Sequence, residues 1–241
     1  MRWLRLAERC AWGAGLALLS FYVVARSHGN VAGAADVARF LEVRAALADS
    51  STESTGEDQT GSLAIDGTID FSLWAEGRIE AYENSFEEAL DLPLALLRIP
   101  KIALEVPVHV GTEELVLNRA VGSIAGTARP GDAGNIGIAG HRDGFFRGLK
   151  ELEPGDAIEI VTLARTDTYL VDKISIVDPV DVHVLNPSPL PAVTLVTCYP
   201  FYHVGKAPRR YIVRATLQES PLASGTEKDL PTRDEGAENR D

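Results

Sequence analysis

The 241-residue chain has little cysteine, a deficit of positive charge and no internal repeat. Its two cysteines, Cys10 and Cys198, allow at most one disulfide, which excludes a disulfide-stabilised scaffold. With 23 basic against 35 acidic residues, the net charge is −12, and this argues against a nucleic-acid partner bound through a basic surface. The apolar fraction of 45% is large enough for a hydrophobic core and excludes a fully disordered chain.

The first 35 residues contain one long uncharged segment. It runs for 16 residues from Cys10 to Ala25, after three arginines in the first nine positions, and includes Trp12 and Tyr22. A bilayer core needs about 20 apolar residues, with a lower limit of about 17, and aromatic residues favour its interfaces. We therefore expect residues 1–35 to be a basic cytoplasmic end and a single-pass membrane anchor. A cleaved signal peptide is the alternative, because small residues follow at 31–34.

Acidic charge is concentrated outside the predicted folded domain. Residues 49–88 have a net charge of −10, whereas residues 90–218 have a net charge of −1. Apolar residues at helical spacing predict a short helix over 36–47, and an acidic stretch rich in Ser, Thr and Gly follows it. We assign 36–71 to a juxtamembrane helix and an acidic linker. Residues 219–241 lack a packing pattern and are predicted to be a disordered acidic tail.

Residues 72–218 are predicted to fold mainly as β-structure. A helix is expected at the start, from about Ser72 to Ala89, with apolar residues that could dock one face. From Leu94 onward, short apolar runs of strand length alternate with turns rich in Pro and Gly. The runs are LALLRIPKIALEVPV, NIGIAGH, DAIEIVTL, TYLVDKISIV, AVTLVTC and RYIVRATL. Many short strands and few helices predict an all-β barrel or sandwich.

Three kinds of reactive side chain lie at the ends of these predicted strands. Cys198 ends the run AVTLVTC, His141 follows NIGIAG, and Arg209 and Arg210 begin the last strand. Each by itself has a simpler interpretation: a buried inert cysteine, a turn histidine, or a solvated strand end. Together, a thiol, an imidazole and a guanidinium can supply a nucleophile, an acid/base and an oxyanion or substrate clamp.

The sequence around these residues resembles that of the sortases, the cysteine transpeptidases of bacterial surfaces. TLVTC at 194–198, followed twelve residues after the cysteine by Arg210, resembles the sortase signature. GHRDGFFRGL at 140–149 is similar to the sortase histidine segment, and TLVTCYPF resembles the class D branch. The resemblance covers residues 72–218. It implies a sortase-like eight-stranded β-barrel with short helices and a peptide groove, here preceded by an N-terminal transmembrane helix.

The same resemblance implies roles for individual residues. Cys198 would be the nucleophile, His141 the acid/base, and Arg210 the group that stabilises substrate and oxyanion. Arg209 is the alternative to Arg210, because successive strand residues point to opposite faces and only one of them can face the groove. Thr197 is a candidate substrate contact through its hydroxyl, or else a β-branched residue of the core.

No metal and no other cofactor is predicted. The remaining histidines are scattered rather than spaced as metal ligands. Asp143 could orient His141, or it could form a turn with Gly144. Some sortases hold calcium with loop carboxylates, and four residues are candidates that surface charge explains more simply: Glu113, Glu114, Asp178 and Asp181.

The implied reaction cleaves an apolar, Pro-containing sorting motif of the LPxTG type through a thioester on Cys198 and transfers the acyl group to an amine. Implied partners are surface proteins that carry the motif, an amine acceptor such as a cell-wall precursor or a pilin lysine, and the membrane. The predicted location is the cell membrane, with the catalytic domain outside the cytoplasm. Two alternatives stay open: a thiol endopeptidase that hydrolyses the same acyl-enzyme, and a non-catalytic membrane-tethered binding module with a buried Cys198.

Overall fold

The computed structural model describes residues 35–48, 69, 71–202 and 205–218. Residues 35–48 form helix α1, so the short helix predicted over 36–47 is confirmed. The predicted membrane anchor, almost all of the linker and the tail over 219–241 lie outside the described residues. Within the described part of the chain, no helix is both long enough and apolar enough to cross a bilayer.

Eight strands form a closed barrel, which confirms the predicted eight-stranded architecture. They are β1 (Ala95–Ile99), β2 (Leu104–Val110), β3 (Val121–Ser123), β4 (Asn135–Ala139), β5 (Ala157–Val161), β6 (Thr166–Val177), β7 (Ala192–Tyr199) and β8 (Arg209–Leu217). Neighbouring strands follow the order β1-β2-β3-β4-β7-β8-β6-β5 around the barrel. The pairs β2–β3 and β4–β7 are parallel, and the other neighbouring pairs are antiparallel.

Apolar side chains fill the barrel interior at every second position of its central strands. Val193 and Leu195 of β7 and Ile136 and Ile138 of β4 are fully buried in the main core. Because successive side chains of a strand point to opposite faces, the intervening residues lie on the outer face of the barrel wall. Cys198 is three positions after Leu195 and therefore lies on this outer face.

The predicted apolar runs all contain strands, but the pattern misses one strand. The run over 94–108 contains two strands, because Pro100–Ile102 forms a 3-10 turn and Ala103 adopts a left-handed conformation (φ 48°). Strand β3 is only three residues long and too short to show a periodic pattern. A side-chain carbon added to its Gly122 would lie 1.9 Å from the carbonyl oxygen of Gly111, so the close backbone approach requires glycine.

The helix predicted from Ser72 to Ala89 is shorter in the structure. Helix α2 spans Glu76–Asn84, and 3-10 turns at Phe71–Leu73 and Ser85–Glu87 lie on either side of it. The prediction was too long because Ala75 is extended (φ −74°, ψ 144°), and this residue separates the first turn from the helix.

Three connections between strands contain short helical segments near the site. In the connection from β4 to β5, a 3-10 segment at Phe145–Glu151 follows His141. Helix α3 (Glu114–Arg119) joins β2 to β3 and contacts α2. A 3-10 turn at Val182–Leu185 lies in the connection from β6 to β7 and contacts β4. These segments bring polar and charged groups close to the barrel wall formed by β4, β7 and β8.

Candidate active site at the ends of β4, β7 and β8

Cys198 and Arg210 lie opposite each other on neighbouring strands. The antiparallel register of β7 and β8 aligns Cys198 with Arg210 and Tyr199 with Arg209. Aligned residues present their side chains on the same face of a sheet. Arg210 therefore shares the outer face with Cys198, whereas Arg209 lies on the other face, with its Nε 3.8 Å from Asp178 Oδ1. Of the two arginines, the geometry favours Arg210 as the neighbour of the thiol.

Both groups of this pair are partly accessible. Cys198 is a free cysteine of intermediate exposure. Arg210 is half-buried, and its Nη1 donates hydrogen bonds to the carbonyls of Arg209 (3.1 Å) and Ala207 (3.4 Å). The binding-module alternative requires a buried cysteine, and the partial exposure of Cys198 disfavours it.

His141 follows β4 at the same edge of the barrel. The last aligned pair of the parallel strands β4 and β7 is Ala139 with Val196, and His141 and Cys198 each lie two residues beyond it. The backbone N–H of Gly140 donates to the carbonyl of Val196 (3.2 Å), which extends the pairing by one residue. His141 and Cys198 thus lie side by side at the ends of two neighbouring strands.

Thr197 connects β7 to the segment that carries His141. Its side chain is 2% exposed, and Oγ1 donates to the carbonyl of Gly140 at 2.7 Å. Because Thr197 alternates with Cys198 along the strand, its side chain lies on the opposite, inner face. Of the two interpretations that the sequence allows, this geometry favours the structural residue over the substrate contact.

The surroundings of His141 disfavour its charged form. Its side chain is 21% exposed, and Nε2 lies 3.9 Å from Glu114 Oε1. Burial lowers the pKa of His141 below 6.5, the positive charge of Arg78 lowers this pKa further, and the carboxylates of Glu114 and Asp143 oppose the shift. Within the described part of the chain, Nε2 has no hydrogen-bond partner. A neutral imidazole with an unpaired ring nitrogen can exchange a proton with a group placed beside it.

The loop after β7 is hydrogen-bonded to the segment after β4. Arg142 donates from its two terminal nitrogens to the carbonyls of Pro200 and Gly205, both at 3.0 Å. Arg147 donates from Nη1 to the carbonyl of Phe201 at 2.7 Å. These bonds join the chain following the cysteine to the chain following the histidine and thereby stabilise the relative positions of the two strand ends.

A cavity of about 290 Å³ lies against the outer face of the same barrel wall. Ile212 and Arg214 form part of its floor, and they follow Arg210 on the same face of β8. Residues 183, 184 and 186–189 of the connection from β6 to β7 also line it. The cavity therefore lies on the face that also carries the thiol and the guanidinium.

Asn135 joins the β6–β7 connection to the barrel wall. Asn135 is buried, with 3% of its surface exposed. Its Nδ2 donates hydrogen bonds to the carbonyls of Val184 (3.1 Å) and Asn186 (3.2 Å). Oδ1 accepts a hydrogen bond from Thr194 Oγ1 at 2.7 Å. The wall of the cavity is thus bonded to β4 and β7.

Comparison with known proteins assigns a family to this arrangement. A family model described as the sortase domain matches residues 97–218, a segment that includes His141, Cys198 and Arg210. The chain belongs to the sortase family. Its similarity to a sortase D supports a class D-like member, as the sequence TLVTCYPF implied.

Two curated relatives and one solved structure illustrate this membership. Sortase D from Bacillus subtilis (strain 168) is 37% identical over 130 residues, which cover 54% of this chain and 66% of the relative. Sortase SrtE1 from Streptomyces coelicolor is 38% identical over 149 residues, which cover 53% of this chain and 40% of the relative. The chain thus spans less than two thirds of either protein. The crystal structure of sortase C1 from Streptococcus suis has a TM-score of 0.51 and 30% identity, over 61% of this chain and 83% of that chain.

The carboxylates considered for calcium lie on two different elements of this sortase. Glu113 and Glu114 begin α3, whereas Asp178 and Asp181 follow β6. Among the residues that the structure describes, no group of three or more His, Cys, Asp and Glu side chains could hold a metal ion. The absence of a cofactor stays a prediction.

Sequence reasoning did not identify Arg78 as part of the site. Asp143, a candidate for orienting His141, has its Oδ1 3.3 Å from Arg78 Nε and thus pairs with this arginine. One signal was present in the sequence, since Arg78 is the only basic residue between positions 49 and 88. The sequence pattern could not show that α2 places Arg78 near His141, which is 63 positions further along the chain.

Proposed function

We propose that this sortase is a membrane-anchored cysteine transpeptidase that cleaves an LPxTG-like sorting motif and transfers the acyl group to an amine. The observation that supports it is the strand register, which aligns Cys198 with Arg210 and brings His141 to the same edge. Family membership supports the general activity, and the motif and the acceptor are parts of the proposal.

In the first step, the thiolate of Cys198 attacks the carbonyl carbon of the motif. The peptide C–N bond breaks, a C–S bond forms, and the imidazolium of His141 protonates the departing amine. Arg210, which shares the outer face with the thiol, donates hydrogen bonds to the oxyanion of the tetrahedral intermediate.

In the second step, an amine attacks the thioester carbonyl, and the C–S bond breaks to release the thiolate. The proton of the attacking amine passes to His141, which restores the starting protonation state. Water competes with the amine for the same thioester, and hydrolysis by water is the endopeptidase alternative.

The connection from β6 to β7 suits a peptide with apolar side chains. Val180, Val182 and Leu190 in this connection are 82%, 67% and 58% exposed. Large apolar groups exposed beside a cavity are typical of binding sites. We propose that the apolar part of the sorting motif binds along this surface, with its scissile carbonyl next to Cys198.

The partners and location in this proposal follow from the N-terminal sequence and from family membership. Surface proteins with a sorting motif supply the acyl group, and a cell-wall precursor or a pilin lysine supplies the amine. The uncharged segment over 10–25 anchors the enzyme in the cell membrane, with the catalytic barrel on the outer side and the N-terminus in the cytoplasm.

The test is a peptide assay with the full-length chain in detergent. Purified protein is mixed with a library of Pro-containing sorting peptides and with a glycine or diamine acceptor, and products are identified by mass spectrometry. We expect a ligated product and an acyl-enzyme at Cys198, both absent in Cys198→Ala. Hydrolysed peptide without ligation would support the endopeptidase, and full turnover by Cys198→Ala would refute the mechanism.

A further inference from the structure

The charges next to His141 come from elements outside the strands that carry Cys198 and Arg210. The Nη1 atom of Arg78, on α2, is 3.8 Å from Oε1 of Glu114, on α3. The same oxygen of Glu114 is 3.9 Å from His141 Nε2. One carboxylate oxygen is thus within 4 Å of both a permanent positive charge and the ring nitrogen of the histidine.

Arg78 is held in this position by more than one partner. Its Nε is 3.3 Å from Asp143 Oδ1, and Nη1 donates a hydrogen bond to Asn118 Oδ1 of α3. The Arg78 side chain is 17% exposed, so the guanidinium is largely removed from water. A methyl group added at Gly144 would lie 3.5 Å from Arg78 Cγ and 3.6 Å from His141 Cβ. The side chains of Arg78 and His141 therefore both approach Gly144.

Aromatic packing fixes α2 against the chain segment that follows His141. The ring of Phe145 lies 4.7 Å from that of Trp74 and 6.0 Å from that of Tyr82, measured between centroids. The backbone N–H of Ala75 donates to the carbonyl of Asp143 at 3.4 Å. Since Phe146 N–H donates to the carbonyl of His141 (3.2 Å), the helix and the histidine belong to one packed unit.

We propose that Arg78 and Glu114 are positioning residues for His141, which act with opposite sign on the charge of its imidazole. Arg78 disfavours the imidazolium by charge repulsion, and Glu114 favours it by attraction. The inference rests on the proposed function, in which His141 is the acid/base. It adds that a helix preceding the barrel contributes, together with burial, to how readily this base takes up its proton.

Other charged groups near His141 are engaged elsewhere or belong to the reaction. Arg142 and Arg147 donate to main-chain carbonyls of the loop after β7. Asp143 opposes Arg78 in its effect on the pKa of His141, as Glu114 does. Cys198 and Arg210 lie on the neighbouring strand ends. Removal of Arg78 and removal of Glu114 should therefore shift the pKa of His141 in opposite directions.

The arrangement has a consequence for the reaction. Cleavage needs a thiolate and an imidazolium at the same time, and a histidine with a lowered pKa makes this ion pair a minor species. Arg78 decreases its population and Glu114 increases it. The pair thus adjusts the fraction of enzyme that is ready to attack, without touching the substrate.

The test is an NMR titration of the histidine rings in the full-length protein labelled with ¹³C-histidine. Five histidines are present, and the His141 resonance is the one lost in His141→Gln. We expect Glu114→Gln to lower the pKa of His141 by roughly half a pH unit or more, as expected for a charge about 4 Å away. Arg78→Gln should raise this pKa, because it removes a positive charge that disfavours the imidazolium. Arg78→Lys retains the charge and should restore most of the original value.

Arg98→Gln is the matched control, because it removes an ion pair with Glu105 on β1 and β2 and should leave the His141 titration unchanged. The acid limb of kcat/KM against pH should move in the same direction as the measured pKa in each variant. Shifts of equal sign in Arg78→Gln and Glu114→Gln, or no shift in either, would overturn the proposal. If Arg78→Gln does not fold, the exposed Glu114 still provides the test.

The titration does not depend on peptide turnover. Opposite shifts in a protein without transpeptidase activity would refute the proposed function and leave the electrostatic pair intact. If the enzyme carries out transpeptidation but the His141 titration is unchanged in both variants, the proposed function is supported and the electrostatic pair is refuted.

Discussion

A difference of one position along β8 determines which guanidinium lies next to the candidate nucleophile. Arg209 and Arg210 are adjacent and chemically identical, and the family resemblance favours Arg210 with Arg209 as the alternative. The register between β7 and β8 places Arg210 next to the thiol, because Arg210 is aligned with Cys198 and Arg209 is aligned with Tyr199. A slip of one residue in this pairing would exchange their faces.

The register predicts different effects for the two arginines. Arg210→Ala should lower kcat/KM about 100- to 1,000-fold, the typical cost of losing one oxyanion donor. Arg209→Ala should change it less than about threefold, since an exposed ion pair with Asp178 contributes little. The measurement is peptide cleavage under kcat/KM conditions. Equal losses, or a larger loss for Arg209→Ala, would mean that Arg209 faces the substrate.

At the scale of secondary structure, the site depends on how the end of β4 is joined to the end of β7. The two strands are parallel and far apart in sequence, so their ends meet only through tertiary pairing. The hydroxyl of Thr197 bonds to the carbonyl of Gly140 inside the barrel wall. This bond lies one residue from both Cys198 and His141 and stabilises the junction between them.

Thr197→Val should therefore destabilise the fold, because the buried carbonyl of Gly140 loses its donor while the side-chain volume is kept. The expected loss in the free energy of unfolding is about 1–3 kcal/mol, measured by chemical denaturation. Thr197→Ser retains the hydroxyl and is the matched control with the smaller loss. Unchanged stability combined with a raised KM would instead assign Thr197 to substrate binding.

For the whole molecule, a buried histidine lies where α1, α3 and β2 approach one another. His109 of β2 is 4% exposed, and its Nε2 has no hydrogen-bond partner among the residues that the structure describes. Burial lowers the pKa of His109, and Arg119 lowers it further, whereas Asp36 opposes the shift. Arg119 of α3 bonds both carboxylate oxygens of Asp36 in α1, at 2.8 and 3.0 Å. This ion pair connects the N-terminal helix to the barrel.

The lowered pKa of His109 predicts acid sensitivity of the fold. Below pH 6.5 the unfolded chain binds the proton more readily than the folded one, so stability is full above that pH and is lost as the pH falls below it. The slope is at most about 1.4 kcal/mol per pH unit for each such histidine.

Urea denaturation at pH 7.5 and 5.5 measures this dependence. We expect His109→Gln to reduce the loss of stability between the two pH values without abolishing it, because the pKa of His141 is lowered as well. His183→Gln, in the exposed β6–β7 connection, is the matched control and should leave the loss unchanged. An identical pH dependence in His109→Gln and the parent would contradict the prediction.

The sequence alone determined the strands, the motif and the distribution of charge. Alternating apolar residues and turn residues are local signals, and the six runs that they mark contain seven of the eight strands. The exception, β3, is too short to show a period and depends on a close contact between Gly122 and Gly111. The thiol, the imidazole and the guanidinium were identifiable because each ends or begins a strand within a specific motif.

Only the tertiary structure decided which groups meet. The choice of Arg210 over Arg209 needed the register of β7 and β8, and the burial of the Thr197 hydroxyl needed the closed barrel. The approach of Arg78 to His141 required α2 to pack against Phe145. Local sequence patterns show which face of a helix or strand is apolar. Long-range contacts depend on the free energy of packing the whole chain, and this free energy cannot be read from any single segment.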